Sequence, residues 1–254
     1  MSPASRPSPT ERFRPPPNVS FGQGVLGKIL GGVHRFLNLQ VQSVLRFLVP
    51  WLAARHGRLL EVGCGARPYR HLVPARCRYQ GLDWEKAGEA FGYREEEVTL
   101  FTGGTFPFPD GSYDSLFHTE VLEHIPDPGA FLKECRRVLA PGGALFLSVP
   151  FQARFHYIPY DYWRFTPSGL RLLLEQAGFT GIVIRPRGTD VTVAAYKLAS
   201  LAYRWLRDGT LKGKCLGLAA LPMVVPALVV GHASLAYGLG SPDDCLGYVA
   251  EAKA

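Results

Sequence analysis

LLEVGCGARPY, residues 59–69, is a short apolar run that passes through an acid, Glu61, and breaks at once into a glycine-rich turn. Leu59, Leu60 and Val62 predict the buried end of a first parallel strand. Gly63 and Gly65 let the backbone turn sharply and lie close to a ligand with no side chain in the way. A helix after such a turn aims its free amides at that ligand. Taken alone, the stretch also fits an ordinary strand, turn and helix whose glycines serve geometry only.

A dinucleotide fingerprint would need a third glycine at position 68, where the chain has Pro68. The acid also sits inside the strand, and a carboxylate there suits a ligand bearing an ammonium group better than a pyrophosphate. That chemistry points to S-adenosylmethionine (SAM). Cys77 to Lys86, CRYQGLDWEK, reads as a second strand ending in Asp83, the position from which a carboxylate accepts hydrogen bonds from ribose hydroxyls. Trp84 then lies where an aromatic face could cover adenine.

Composition bounds the rest. At 254 residues the chain suits one α/β domain with embellishments. Five cysteines without C-x-x-C spacing indicate neither a disulfide framework nor a zinc site, which fits a reducing, cytoplasmic setting. Residues 1–58 hold eight Lys or Arg against one acid, a net +7, and the remainder holds 20 of each sign. A neutral catalytic portion lacks the basic stripe that phosphate tracking needs, so no nucleic-acid partner is expected.

Phe106 to Phe151, FPFPDGSYDSLFHTEVLEHIPDPGAFLKECRRVLAPGGALFLSVPF, completes a pattern. With GCGARPY, YQGLD and HYIPYDYWRFTPSGLRLLLEQAGF, it resembles the class I SAM-dependent methyltransferases of the type 11 kind. It is most similar to a branch with a "GCG..PY" turn and an "H..P.D.WR.T" loop, often met in cell-surface glycan and lipid metabolism. The resemblance covers roughly residues 58–188 and a terminal strand. It implies a doubly wound, Rossmann-like α/β sheet of seven strands in the order 3-2-1-4-5-7-6, the seventh antiparallel, with the cofactor across the carboxyl ends of strands 1, 2 and 4. It also implies that Glu61 and the turn Gly63, Cys64, Gly65 hold the methionine end of SAM, that Asp83 takes the ribose, and that His118 stands near the methionine amine. Two positions depart from the family pattern. Arg67 replaces a small residue of the turn, and Thr102 stands where relatives often carry an acid near the adenine amine, although Thr102, Gly103 and Gly104 still offer backbone contacts.

Methyl transfer from a sulfonium is an in-line displacement that needs neither a metal nor a covalent intermediate, so positioning and exclusion of water dominate. On the acceptor side, His156, Tyr157, Tyr160, Asp161, Trp163 and Arg164 follow strand 5. His156 or Asp161 could take a proton from an attacking hydroxyl; equally, Asp161 and Arg164 could pair to lock the loop. Glu123-His124 is open to both structural and catalytic readings. The expected reaction is O-methylation of a glycan, lipid-linked glycan or other amphipathic small molecule. A quinone or polyketide-like acceptor, or an inactive SAM-binding module, are the alternatives.

Residues 1–20 read as a Pro-rich disordered tail without a secretory signal, residues 21–56 as an amphipathic helical extension, and 57–254 as the methyltransferase domain. Leu26 to Leu52 carry apolar residues at helical spacing, predicting a helix broken near Gly31-Gly32 and kinked or stopped near Pro50. Between strands 6 and 7, about 189–242, lies an insertion with no formally charged residue from Cys215 to Pro242. The length would cross a bilayer, but the chain must return to the same sheet, and Pro222 and Pro226 are expected to break a long helix. A helical cover or shallow hairpin making peripheral membrane contact is the expectation, with internal packing as the alternative.

Overall fold

Leu59 and Leu60 point to opposite faces of one strand and enter different cores, so the sheet needs helices on both sides. The computed structural model describes residues 24–91 and 97–254, and the tail expected over 1–20 lies outside them. Strands β1 to β7 are Gly57–Val62, Cys77–Trp84, Thr99–Phe101, Tyr113–Thr119, Leu139–Pro150, Thr180–Pro186 and Gly247–Lys253. Helices α1 to α7 are Val25–Leu37, Leu39–Ala53, Ala87–Phe91, Pro128–Val138, Pro167–Gln176, Asp190–Arg207 and Leu211–Tyr237. The seven-stranded sheet has the order β3-β2-β1-β4-β5-β7-β6, with β7 antiparallel to both neighbours. Chain order reverses between β1 and β4, which puts a crevice at the carboxyl ends of β1, β2 and β4.

One core joins Leu60, Leu82, Leu116 and Leu147 to α4 and α5. The other joins Leu59, Phe117 and Phe146 to Leu48, Trp51 and Leu52 of α2. Both outer helices start where the sequence says. Asp127 Oδ1 accepts from Ala130 N at 2.9 Å ahead of α4, and Thr166 Oγ1 from Gly169 N at 3.1 Å ahead of α5, each followed by Pro at the first helical position.

The single helix expected over 25–52 is two helices, and the break is at Asn38 rather than Gly31-Gly32. The Asn38 side chain accepts from Val41 N at 3.1 Å, a cap that lets α2 set off in a new direction. Pro50 does not stop α2, because Leu48 before it and Trp51 and Leu52 after it are held in the core. The insertion is an antiparallel pair, α6 and α7. Contrary to expectation, Pro222 and Pro226 lie inside an unbroken α7 of 27 residues. Both prolines are exposed, while Ala220, Val224 and Leu228 on the other side pack in a third core with α6 and Leu39. That packing carries the helix across the two lost bonds. Small residues bring the helices close: a Cβ on Gly217 would meet Leu206 Cγ at 2.6 Å, and one on Gly231 would meet Leu39 Cδ1 at 2.7 Å.

Candidate active site

The turn after β1 is built as its glycines require. Gly63 and Gly65 have φ of +64° and +53°, a region that L side chains avoid. A Cβ on Gly63 would lie 2.5 Å from Val121 Cγ2. Gly65 N donates to Asp83 Oδ2 at 2.8 Å, and Trp84 N to Asp83 Oδ1 at 2.7 Å, so Asp83 ties the ends of β1 and β2 together. Glu61 is buried and accepts from Tyr79 Oη at 2.5 Å. Burial pushes its carboxyl up to about 8, with the Tyr79 bond opposing and the Asp83 charge adding.

These groups line one end of a cleft of about 850 Å³. Glu61, Gly63, Cys64, Gly65, Asp83, Trp84 and Gly103 all face it. Two expected residues do not. Thr102 is exposed while Phe101, Gly103 and Gly104 line the wall beside it. His118 is fully buried with its ring edge-on to Phe131 at 5.3 Å and neither ring nitrogen hydrogen-bonded. Burial pushes its pKa down to about 3, so it stays neutral. One strand position decides this: β4 turns His118 into the core, and the lining passes to Thr119, Glu120 and Val121.

The other end of the cleft is walled by rings. Phe91 meets Tyr157 at 5.1 Å and His124 at 5.4 Å, Trp84 meets Tyr160 at 5.5 Å, and His124 meets His156 at 5.1 Å. The loop after β5 carries this wall and is locked by Asp161. Arg164 grips that carboxylate with both terminal nitrogens, at 2.6 and 2.8 Å, and also reaches the carbonyls of Arg154 and Trp163. His156 N donates to Asp161 Oδ2 at 2.9 Å, and His156 Nδ1 lies 3.1 Å from the same oxygen and 2.8 Å from Arg154 O. Burial alone would raise the Asp161 pKa, but the Arg164 and His156 bonds hold it well below the usual carboxylate range. Both neighbours of Nδ1 are acceptors, so Nδ1 carries the proton and Nε2 keeps its lone pair. The two readings of Asp161 are thus compatible, since the pairing that locks the loop also orients the imidazole.

Three features escaped the sequence. Arg187, wholly buried, forms an ion pair with Glu120 Oε1 at 2.9 Å and reaches Ser43 Oγ at 3.3 Å and Val149 O at 3.0 Å, tying the cleft wall to α2. Glu123 is buried with neither carboxyl oxygen hydrogen-bonded, its Oε1 3.7 Å from His124 Nε2, and burial first, then the Glu120 charge, raises its pKa. It stands beside His124, whose Nδ1 is 2.6 Å from Tyr160 O and whose pKa burial pushes down to about 4. Glu123, His124 and His156 bring one ligand atom each within 4.8 Å of one another, a cation-sized grouping from two loops that no linear spacing announced. Finally, the non-glycine residues with positive φ among those described, Arg67, Glu120 and Tyr157, all flank the cleft, where strain of about 1–3 kcal/mol each is held by the surrounding structure.

A model described as a methyltransferase domain matches residues 60–147. A ubiquinone biosynthesis O-methyltransferase of Xanthomonas oryzae is 36% identical over 219 residues, 78% of this chain and 84% of that protein. The chain belongs to the SAM-dependent methyltransferases. A protein of Mycolicibacterium smegmatis named "Probable S-adenosylmethionine-dependent methyltransferase" is 33% identical over 132 residues, and the match spans 48% of this chain and about half (51%) of its length. The fold is also that of a solved SAM-dependent methyltransferase from Archaeoglobus fulgidus, with a TM-score of 0.51 at 16% identity over 84% of this chain and 93% of that one. The methyltransferase cofactor fits the residues present. The glycine turn, Asp83 and Glu61 line the same end of the cleft, and a carboxyl that burial holds protonated matches a ligand that brings an ammonium.

Proposed function

We propose that this methyltransferase O-methylates a flat, amphipathic acceptor of the quinone-precursor kind, with His156 and Asp161 as the proton-accepting pair. The observation that carries the reading is the His156–Asp161 couple opening onto a ring-walled half of the cleft. When bound, SAM supplies an electrophilic methyl group on a sulfonium. Glu61 and the backbone of Gly63, Cys64 and Gly65 would hold its methionine end, Asp83 its ribose, and Trp84 with Gly103 the base. Phe91, Tyr157 and Tyr160 would stack on the acceptor and exclude water. His156 Nε2 would take the hydroxyl proton while Asp161 stabilises the imidazolium that forms.

Magnitudes favour a phenolic over a sugar hydroxyl. A phenol, pKa about 10, gives its proton to the same base at roughly 8 kcal/mol lower cost than an alcohol close to water, about 15.7. The relative in ubiquinone biosynthesis points the same way. The glycan and lipid-linked glycan acceptors expected from sequence have no comparable observation behind them. The five cysteines stand unpaired, four of them buried, which supports a cytoplasmic setting.

The test is transfer of radiolabelled methyl from SAM to a panel of alkylated catechols, simple phenols and glycans. Label in the catechols is the expected result. Label confined to glycans, or none anywhere despite SAM binding, would overturn the proposal.

A further inference from the structure

We propose that the exposed apolar faces of α1 and α7 form one surface that docks on a bilayer carrying anionic headgroups. This deepens the reading above, resting on its amphipathic acceptor for the purpose of docking but not for the evidence. Along α7, Gly217, Ala220, Val224, Leu228, Gly231 and Leu235 recur at helical spacing and are buried. A soluble helix with such a stripe carries polar residues on its other face. This one does not: Leu218, Leu221, Met223, Val225, Val229 and Val230 are exposed, and only 28% of the most apolar stretch of the helix is buried.

Helix α1 repeats the pattern beside it. Val25, Ile29, Leu30, Val33 and Leu37 are exposed, Val25 at 78%, whereas Leu48, Trp51 and Leu52 of α2 are in the core. The two surfaces are continuous. The Phe36 ring stacks on His232 at 5.0 Å, and a His232 ring nitrogen lies 2.9 Å from Phe36 O.

Length alone would let α7 cross a bilayer, since 27 residues reach about 40 Å. Its geometry holds it flat against the protein. Gly231 sits against Leu39 and Ala195, and the chain returns directly to β7 between β5 and β6. A helix lying in the plane of the membrane interface satisfies both constraints.

Charge selects the occupant. The segments of α1, α2 and α7 contain Lys28, Arg35, Arg46, Lys212 and Lys214 and no acid. Lys212 and Lys214 are exposed in the first turn of α7, and Arg207 ends α6, with Asp208 the one acid in the turn between them. A second copy would set cation against cation, whereas anionic headgroups complement them. Helix α6, packed against α7, reaches the loop beside the site: Lys197 donates to Gln152 O at 2.9 Å, four residues before His156, so the docking helix is joined through α6 to the loop that would receive the acceptor.

The full chain is sedimented with phosphatidylcholine vesicles with and without phosphatidylglycerol, with no acceptor present. Wild type is expected to pellet with the anionic vesicles at low salt and to be released as salt rises. Lys212→Ala with Lys214→Ala should weaken that binding about 30-fold, and Leu218→Glu with Met223→Glu and Val229→Glu should abolish it. Unchanged SAM binding by calorimetry certifies that the variants are folded. Wild type left in the supernatant at low salt, or variants that pellet like wild type, would overturn the proposal. So would a dimer in solution that the three glutamates dissolve. Turnover is never read, so none of these results bears on the acceptor.

Discussion

Asp161→Asn keeps the shape of the loop lock and removes its charge. The carboxylate accepts from Arg164 at 2.6 and 2.8 Å, from His156 N at 2.9 Å, and faces His156 Nδ1 at 3.1 Å. An amide offers one acceptor atom and one donor atom. Its oxygen will go to Arg164, which turns NH2 toward the imidazole and favours the tautomer with the proton on Nε2, where the base should be. Arg154 O, 2.8 Å from Nδ1, opposes that flip. The expected loss of turnover is therefore about 10²- to 10³-fold, roughly 3–4 kcal/mol, short of complete loss of a general base. Breaking a buried pair would cost about 3–5 kcal/mol, but the Arg164 side chain is 26% exposed and keeps two carbonyls. A loss of about 1–3 kcal/mol is expected, a fall in Tm of about 3–10 °C. Asp161 lies apart from the turn after β1, so SAM affinity should hold. Single-turnover rates at saturating SAM, thermal melting, and SAM affinity measured by calorimetry check the three expectations. Undiminished turnover, or a fall in SAM affinity as large as the fall in rate, would refute the role given to Asp161.

Gly63→Val should abolish SAM binding, because a side chain at φ +64° would run into Val121; calorimetry on the folded variant checks it. Glu61, held at about 8 when empty, should ionise beside a ligand ammonium, so SAM binding at pH 7 should release close to one proton, seen as a buffer-dependent binding enthalpy that Glu61→Gln removes. Its folded pKa lies above the ordinary 4.5, so its contribution to ligand-free stability is fully present below about pH 4.5 and is lost as pH rises through about 8; the pH dependence of Tm should flatten in the same variant. Arg187→Met should lower stability by about 3 kcal/mol by leaving Glu120 without its cation, and Glu120→Gln in the same chain should restore part of it on denaturant titration.

The sheet and the glycine turn at one end of the cleft were legible because they are local. A glycine turn, an acid at a strand end and alternating elements are written in consecutive residues. The loop from His156 to Arg164 was legible as a list but not as an arrangement, since the surroundings of His156 Nδ1 depend on Arg154 O and Asp161 together. What joins distant segments was hidden. Arg187 meets Glu120 67 positions away in sequence, and Glu123 meets His156 only once two loops converge. Rules about single residues failed where packing outweighed them, at Pro50, Pro222 and Pro226, and the resemblance misled at His118, expected near the ligand from its place in strand 4 but turned by that strand into the core.

The placement of β7 has a consequence for how the chain is made. Residues 247–253 complete the sheet by sliding between two strands translated long before them. Until they emerge from the ribosome, β5 and β6 each show a bare inner edge, the kind of template on which nascent chains aggregate. The α6–α7 pair connects β6 to β7, so it can collapse on itself early and hold the gap open at one end while the last strand arrives. The hairpin would then act as a built-in folding guard as well as part of the finished enzyme, and ribosome-stalled chains ending before Gly247 should be trapped by chaperones far more often than chains that include Lys253.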